Sequence, residues 1–240
     1  RWLILAIVLG ATIMVTLDGF IVNVAIPSIE RDLNASFAEI QLVVAGYTLA
    51  YAMLLVTGGR LGDLYGRKRL FVIGVAGFTL FSALCGFAST SFLLIIFRIA
   101  KGAAAALMTP QVISFIQVSF DTKERPKAFG AYAAAAGVAS ILGQVFGGFL
   151  ITLNLFDLGW RTIFLVNVPI GLVALISSVP LIQESRLRRV DGLDYRGVAL
   201  LTSSVFLFVF PLVLGGESGW SWWAIICLLL SAPCLITFVA

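Results

Sequence analysis

The sequence predicts an all-α, multi-pass membrane protein. Of its 240 residues, 60% are hydrophobic and only 12% are charged, whereas soluble globular chains are about 25% charged. The apolar residues form long continuous runs, and a run of about 20 is the length of helix that crosses a bilayer core. Because these runs lack the two-residue alternation of a membrane β-barrel, we expect helices rather than strands.

Eight apolar runs are long enough to cross a membrane. The first is not a cleavable signal peptide, because it is too long, contains Asp18 and ends at Pro27 without a small-residue cleavage site. The chain begins with Arg1 and stops inside an apolar run, so we expect an N-terminal portion of a longer protein. The predicted spans are 2–25, 41–60, 70–88, 92–115, 128–152, 161–182, 197–214 and 223–240.

Lysine and arginine are concentrated after every second span. The opposite loops hold only Arg31 and Arg161. By the positive-inside rule, this asymmetry places the N-terminus in the cytoplasm. We expect the protein to lie in the cell membrane. Since topology explains the basic residues, we expect no nucleic-acid partner. The basic groups follow spans two (Arg60, Arg67, Lys68, Arg69), four (Lys123, Arg125, Lys127) and six (Arg186, Arg188, Arg189, Arg196).

Three charged residues lie within the spans, where charge is costly and by default marks function. Asp18 lies roughly 13 Å from the outer end of span one, and Arg98 and Lys101 lie about 9 and 14 Å from the outer end of span four. The spacing puts both cations on one helix face, so either can pair with Asp18. Because the chain has no histidine, we expect Asp18 to exchange protons; the alternative is a permanent ion pair that only fixes helix packing.

Spans one and five each carry a face of small and polar residues. In lipid, such a face must contact protein or a water-filled cavity. For span one, helix packing and a substrate path explain the pattern equally well, and for span five the alternatives are helix packing and a sliding contact between moving bundles. The residues are Thr12, Thr16, Gly19 and Asn23 on span one, and Ala133, Gly137, Ser140, Gln144 and Gly147, flanked by Gly143 and Gly148, on span five.

A glycine-rich basic stretch follows span two at residues 58–69. Its glycines permit a tight turn, Asp63 can accept hydrogen bonds or lie at a helix N-terminus, and its cations mark the cytoplasmic surface. We therefore interpret the stretch as a loop. It lacks the spacing and the preceding strand of a phosphate-binding loop.

Nothing in the sequence predicts an enzyme or a metal site. The residues include no nucleophile–base pair and no cofactor fingerprint. The three cysteines, Cys85, Cys227 and Cys234, all lie in apolar runs without disulfide or metal-ligand spacing. We accordingly expect no cofactor.

Five stretches distributed over spans one to six form a recognisable set. Residues 17–27 read LDGFIVNVAIP, residues 59–70 read GRLGDLYGRKRL, and residues 159–171 read GWRTIFLVNVPIG. Span four adds Leu94, Arg98, Gly102 and Pro110, and span five adds Gly143, Gly147 and Gly148. Together these stretches resemble the signatures of the major facilitator superfamily, and within it the fourteen-spanner drug:proton antiporters.

The chain departs from the usual motifs at a few positions. Phe20 stands where the first-helix motif has Thr or Ser, and Lys101 stands where the span-four motif has Gln, which adds a cation to that site. In the antiporter motif of span five, Gln144 replaces the proline and Ala139 the first glycine. Leu64 replaces the common Arg of the loop motif.

The resemblance implies roles for these residues. Asp18, Arg98 and Lys101 would couple transport to protons. The loop residues Gly59, Asp63, Gly66, Arg67 and Lys68 would gate the conformational change, and Gly143, Gln144, Gly147 and Gly148 would form the antiporter-motif helix. By side-chain chemistry, the candidate substrate cavity comprises Asn23, Tyr47, Tyr51, Gln144 and Asn167.

The resemblance also implies an organisation and an activity. Residues 1–182 would form the N-terminal six-helix bundle of a major facilitator, 183–196 a short basic cytoplasmic linker, and 197–240 two additional transmembrane helices, with the C-terminal bundle absent from this chain. The expected activity is proton-coupled efflux of amphipathic or cationic small molecules by alternating access in the lipid bilayer, which needs the C-terminal half. The alternatives are a specific metabolite exporter, a proton symporter, and a non-transporting assembly or sensor subunit.

Overall fold

The structure is a computed structural model that describes residues 1–185, 194–214 and 220–239. The described residues form helices and no strands, which confirms the predicted fold class. Two single-turn 3-10 helices, Leu155–Asp157 and Gly159–Arg161, precede α6. The α-helices are α1 (Trp2–Leu33), α2 (Phe37–Tyr65), α3 (Arg67–Gly86), α4 (Ser91–Ser119), α5 (Arg125–Leu153), α6 (Thr162–Leu165), α7 (Asn167–Leu181), α8 (Tyr195–Leu214) and α9 (Trp222–Val239).

Each predicted span corresponds to a helical element of the structure. Within the described residues, seven elements are long and apolar enough to cross a membrane, and the eighth is the shorter apolar helix Trp222–Phe238. The sixth span is the broken element Gly159–Leu181, which contains α6 and α7. Seven of the eight predicted spans are thus confirmed as helices long enough to cross a membrane, and the eighth is a shorter apolar helix.

Most of the long helices extend beyond the predicted spans, because hydropathy reports only the part of a helix that lies in hydrocarbon. The helix α1 continues past Pro27 to Leu33 and ends where Asn34 adopts a left-handed conformation with φ 47°. The helix α2 begins at a capping box in which the Ser36 hydroxyl accepts from the Glu39 amide and the Glu39 carboxylate accepts from the Ser36 amide. Polar caps, rather than the ends of apolar runs, therefore set these boundaries.

The interpretation of residues 58–69 as a loop is wrong. The helix α2 continues through Gly58 and Gly62 to Tyr65, and α3 begins at Arg67. Between them, Gly66 alone leaves the helical conformation, with φ 110°. The other glycines serve helix packing, since a Cβ at Gly58 would collide with the carbonyl oxygen of Ala106 on α4.

Contacts between helix ends and the segments that connect them define the two ends of the bundle. At one end, Arg1 forms a salt bridge of 2.8 Å with Glu124, and the Arg67 amide donates to the Ser185 carbonyl. We call this the basic end, since it carries the N-terminus, the α2–α3 corner and the α4–α5 loop. At the opposite end, the Arg161 guanidinium donates to Asp32. Successive spans are therefore antiparallel.

The helices α1 to α7 pack around a common interior. The principal neighbours are α2 with α4, α3 with α4, α1 with α5, and α3 with α7. The helices α8 and α9 pack on each other, and α8 lies against α2. On outward surfaces, large apolar side chains such as Val145 and Ile176 are exposed, as expected for a protein surrounded by lipid.

The predicted division of the chain at residue 182 stays a prediction. Of the expected linker 183–196, residues 186–193 lie outside the described part of the chain. Three members of the third basic group, Arg186, Arg188 and Arg189, belong to that segment.

Candidate functional site

A carboxylate and two cations meet in the interior of the bundle. The Asp18 carboxylate on α1 accepts from Arg98 Nη1 and from Lys101 Nζ, each at 2.5 Å. All three residues are 0% exposed. We call Asp18, Arg98 and Lys101 the charge cluster. The sequence indicated that either cation can pair with Asp18, and the structure pairs Asp18 with both.

The geometry of α4 explains why both cations reach one carboxylate. Arg98 and Lys101 lie one turn apart on the face that α4 presents to α1, so their side chains approach Asp18 from adjacent positions. The Arg98 Nε also donates to the Val43 carbonyl of α2 at 2.9 Å. This second hydrogen bond fixes the guanidinium between α1 and α2.

Aromatic rings surround the two cations. The Arg98 guanidinium lies 4.4 Å from the ring centroid of Tyr47, and Lys101 Nζ lies 4.7 Å from that of Phe78 and 5.0 Å from that of Phe164. A cation over an aromatic face is attracted by the ring quadrupole. The rings thus offset part of the cost of burying the two cations.

Asn167 belongs to the same interior site. Its Nδ2 donates to Asp18 Oδ1 at 3.4 Å, which adds α7 to the helices that meet at the carboxylate. Among the described residues, the buried Asn167 Oδ1 has no hydrogen-bond partner. The sequence singled out Asn167 for a substrate cavity; in the structure it contacts the charge cluster.

The five candidate cavity residues do not lie together. Tyr47 is buried against Arg98 and donates its hydroxyl to the Val15 carbonyl at 3.1 Å. Tyr51 stacks on Tyr47 with ring centroids 6.4 Å apart, whereas Asn23 on α1 and Gln144 on α5 are exposed on the bundle surface. Within the described part of the chain, the structure therefore joins two of the five, Tyr47 and Asn167, to the charge cluster and leaves two on an outer face.

An apolar cavity of about 570 Å³ lies elsewhere, between α2, α4 and α8. Its lining includes Leu49, Met53, Ile99 and Phe206. None of the candidate cavity residues lines it.

The glycines of α5 pack on the part of α1 that carries Asp18. A Cβ at Gly143 would lie 2.9 Å from the Leu17 carbonyl oxygen, and one at Gly147 would lie 2.8 Å from the Ile21 side chain. Gly148 has more space, with Val24 at 3.7 Å. The antiporter-motif helix thus contacts the backbone on both sides of Asp18.

Charged side chains fix the α2–α3 corner. Asp63 forms a salt bridge of 2.9 Å with Arg67 across Gly66, and Lys68 Nζ donates to the Val179 carbonyl of α7 at 2.6 Å. Gly59, one turn before Asp63, lies against Pro110 of α4. The predicted gating residues therefore connect α2, α3, α4 and α7 at the basic end.

Glu184, which follows α7, also belongs to this corner, and no sequence pattern predicted it. Its carboxylate accepts from the backbone amides of Lys68 and Arg69 at 3.0 and 3.2 Å and so caps the N-terminus of α3. The sequence signal that could have indicated this contact is an acidic residue between span six and the basic group that follows it. The helix that it caps, α3, begins without a capping side chain of its own. Spacing along the chain does not reveal this contact, because more than 110 residues separate the partners.

Gly66→Ala is expected to destabilise the corner by about 1–3 kcal/mol, because the conformation at φ 110° and ψ 130° is open only to glycine. An added Cβ would also lie 2.6 Å from the Glu184 carboxyl carbon. Thermal unfolding of the purified protein in detergent measures the effect. Gly130→Ala is the matched control, since a Cβ there meets nothing within 4 Å; equal melting temperatures for the two variants would contradict this account.

Comparison with known proteins places this site in a family context. The profile of the Major Facilitator Superfamily matches residues 8–240. The chain is 46% identical, over its whole length and 42% of the relative's, to the probable actinorhodin transporter of Streptomyces coelicolor. It is 35% identical, over 90% of its length and 40% of the relative's, to the tetracenomycin C resistance and export protein of Streptomyces glaucescens. The chain thus spans less than half the length of these relatives.

A solved structure shares the fold. A bacterial homologue of the human lysosomal transporter Spinster, in an inward-facing and unoccupied conformation, superposes with a TM-score of 0.66 at 19% identity. The superposition covers 96% of this chain and 58% of that one.

Proposed function

The chain belongs to the major facilitator superfamily, a family of membrane transporters, and from that membership we propose that it forms the N-terminal half of a proton-coupled exporter of amphipathic or cationic drug-like molecules. The transporter would work by alternating access, with a C-terminal bundle completing the substrate path. The basic end would face the cytoplasm, and the protein would lie in the cytoplasmic membrane.

The buried charge cluster carries this proposal. Charged groups at membrane depth are expensive and are usually retained for transport of ions or protons. Here one carboxylate holds two cations from α4, and none of the three residues has exposed surface. A change in the protonation of this cluster would change how firmly α1 and α4 are held together, which is the coupling that a proton-driven transporter needs.

Two further contacts support alternating access. The close α1–α5 contact at Gly143 and Gly147 borders Asp18 directly, and the α2–α3 corner joins four helices at the basic end. The exposed polar residues Asn23 and Gln144 lie on the α1 and α5 surfaces. We propose that these surfaces face the C-terminal bundle and the substrate.

An efflux assay tests the proposal. Cells expressing the full-length transporter are loaded with a fluorescent lipophilic cation, and its loss is followed with and without a protonophore. We expect faster loss than in cells without the transporter, and we expect the protonophore to abolish the difference. Efflux that persists after the proton gradient has collapsed would contradict proton coupling.

The relatives favour a second candidate, an exporter of one specific metabolite. The names of both relatives concern single compounds. A panel of chemically unrelated lipophilic cations separates the two candidates: a drug exporter confers resistance to several members of the panel, and a specific exporter to none or one.

A further inference from the structure

We propose that Lys101, rather than Asp18, is the group that releases and takes up the coupled proton. This inference rests on the proposed function and identifies the proton carrier within the charge cluster.

The cluster contains more positive than negative charge. Asp18 is, among the described residues, the carboxylate that contacts Arg98 and Lys101, and both cations share it. With all three groups ionised, the cluster carries a net charge of +1 in a place with no exposed surface. A buried charge without a partner is strongly unfavourable.

Only one change of protonation removes this excess. Protonation of Asp18 would raise the net charge to +2 and leave two cations unpaired. Arg98 does not lose its proton under protein conditions. Loss of a proton from Lys101 leaves a neutral amine beside the Asp18–Arg98 ion pair and brings the net charge to zero. A buried lysine is also the basic residue that most readily changes protonation.

Among the described residues, the other ionisable groups around the charge cluster are not competing proton carriers. Besides Asp18 on α1 and Arg98 on α4, these groups are Cys85 on α3, which lies near Lys101, and Tyr47 on α2, whose ring lies over Arg98. Phenols and thiols are ordinarily neutral at physiological pH. The rings of Phe78 and Phe164 attract the ammonium form, so they offset part of the cost of charging Lys101 and keep both of its forms accessible.

The proton balance of the step is simple. In one conformation an N–H bond of the Lys101 ammonium breaks, the proton passes to water on one side of the membrane, and the electron pair stays on Nζ. In the other conformation Nζ takes up a proton from water on the opposite side. Asp18 remains ionised and paired with Arg98 throughout, so Lys101 moves a single proton in each cycle.

The test compares wild type, Lys101→Gln and Lys101→Arg in the full-length transporter. The fluorescent lipophilic cation is added to each purified protein in weakly buffered detergent solution, and proton release is measured with a pH-indicating dye. The release is normalised to the amount of cation that each variant binds. We expect proton release from wild type and its loss in both variants, because glutamine has no exchangeable charge and arginine keeps its charge permanently.

Proteoliposomes supply a second measurement. An imposed proton gradient should drive accumulation of the cation by wild type, and neither variant should accumulate it. If Lys101 only paired with Asp18, Lys101→Arg would preserve that pair and retain gradient-driven transport. Retained proton release or retained gradient-driven transport in Lys101→Gln or in Lys101→Arg would overturn the inference.

The result also separates this inference from the function on which it rests. If the wild-type protein shows no proton coupling, the proposed function itself is refuted. If both wild type and Lys101→Gln show proton coupling, only the role of Lys101 is refuted. Thermal melting adds a check, since removal of an excess buried cation should leave Lys101→Gln at least as stable as wild type. A markedly destabilised Lys101→Gln protein would contradict the charge balance.

Discussion

Asp18→Asn is expected to abolish proton-coupled export and to destabilise the protein by about 3–5 kcal/mol, the typical cost of removing one partner from a buried ion pair. The amide has nearly the shape of the carboxylate but no charge. Arg98, 0% exposed, would keep its positive charge without a counter-charge, and Lys101, also 0% exposed, would lose the carboxylate that stabilises its charged form. The loss of stability thus arises from electrostatics rather than from a cavity.

Efflux of the fluorescent cation and thermal unfolding in detergent measure the two effects of Asp18→Asn. The matched control is Asp157→Asn, the same chemical change at an exposed carboxylate whose side chain accepts from Asn154. We expect this control to change stability by no more than about 0.5 kcal/mol. If Asp18→Asn behaved like the control, the ion pairs in the interior would not hold α1 to α4.

A double variant separates stability from coupling. In Asp18→Asn/Lys101→Gln, the second basic group that had paired with Asp18 is gone as well, so part of the lost stability should return. Proton-coupled export should not return, since neither the carboxylate nor the lysine is present. Because the two residues touch, their effects on stability should be non-additive.

The sequence predicted the spans and the charge cluster well, because both depend on local information. A long apolar run is read from neighbouring residues, and the depth of Asp18 and of Lys101 follows from the rise per residue of a helix. Similar depth on two helices was enough to indicate a possible ion pair. The sequence did not indicate that one carboxylate takes both cations, because that depends on the rotation of α1 and α4 about their axes.

Contacts between distant segments were beyond the sequence patterns. Glu184 caps α3 across more than 110 residues, and nothing in the local sequence pairs the two. Asn167 was selected for its polar side chain, but its place beside Asp18 depends on how α7 packs. Glycine was the most ambiguous signal of local structure, since this residue type permits a turn at Gly66 and a close contact between helices at Gly58.

Gly102→Ala is expected to destabilise the protein by at least the roughly 1–3 kcal/mol typical of overpacking and to abolish export. The added Cβ would collide with the carbonyl oxygen of Tyr47, which belongs to the backbone of α2 and cannot move aside as a side chain can. The contact is reciprocal, because Gly58 of α2 meets the Ala106 carbonyl of α4 in the same way. Thermal unfolding and cation efflux measure the two effects.

The position of Gly102 explains why a steric change there should disturb the geometry of the charge cluster. Displacing α2 at Tyr47 would move the ring that lies over Arg98 and the Val43 carbonyl that accepts from Arg98 Nε. Arg98 would then lose the contacts that orient it toward Asp18. Gly10→Ala in α1 is the control, since a Cβ there meets nothing within 4 Å and alanine is the better helix former. If Gly102→Ala melted and exported like Gly10→Ala, close contact between the α2 and α4 backbones would not be what positions Arg98.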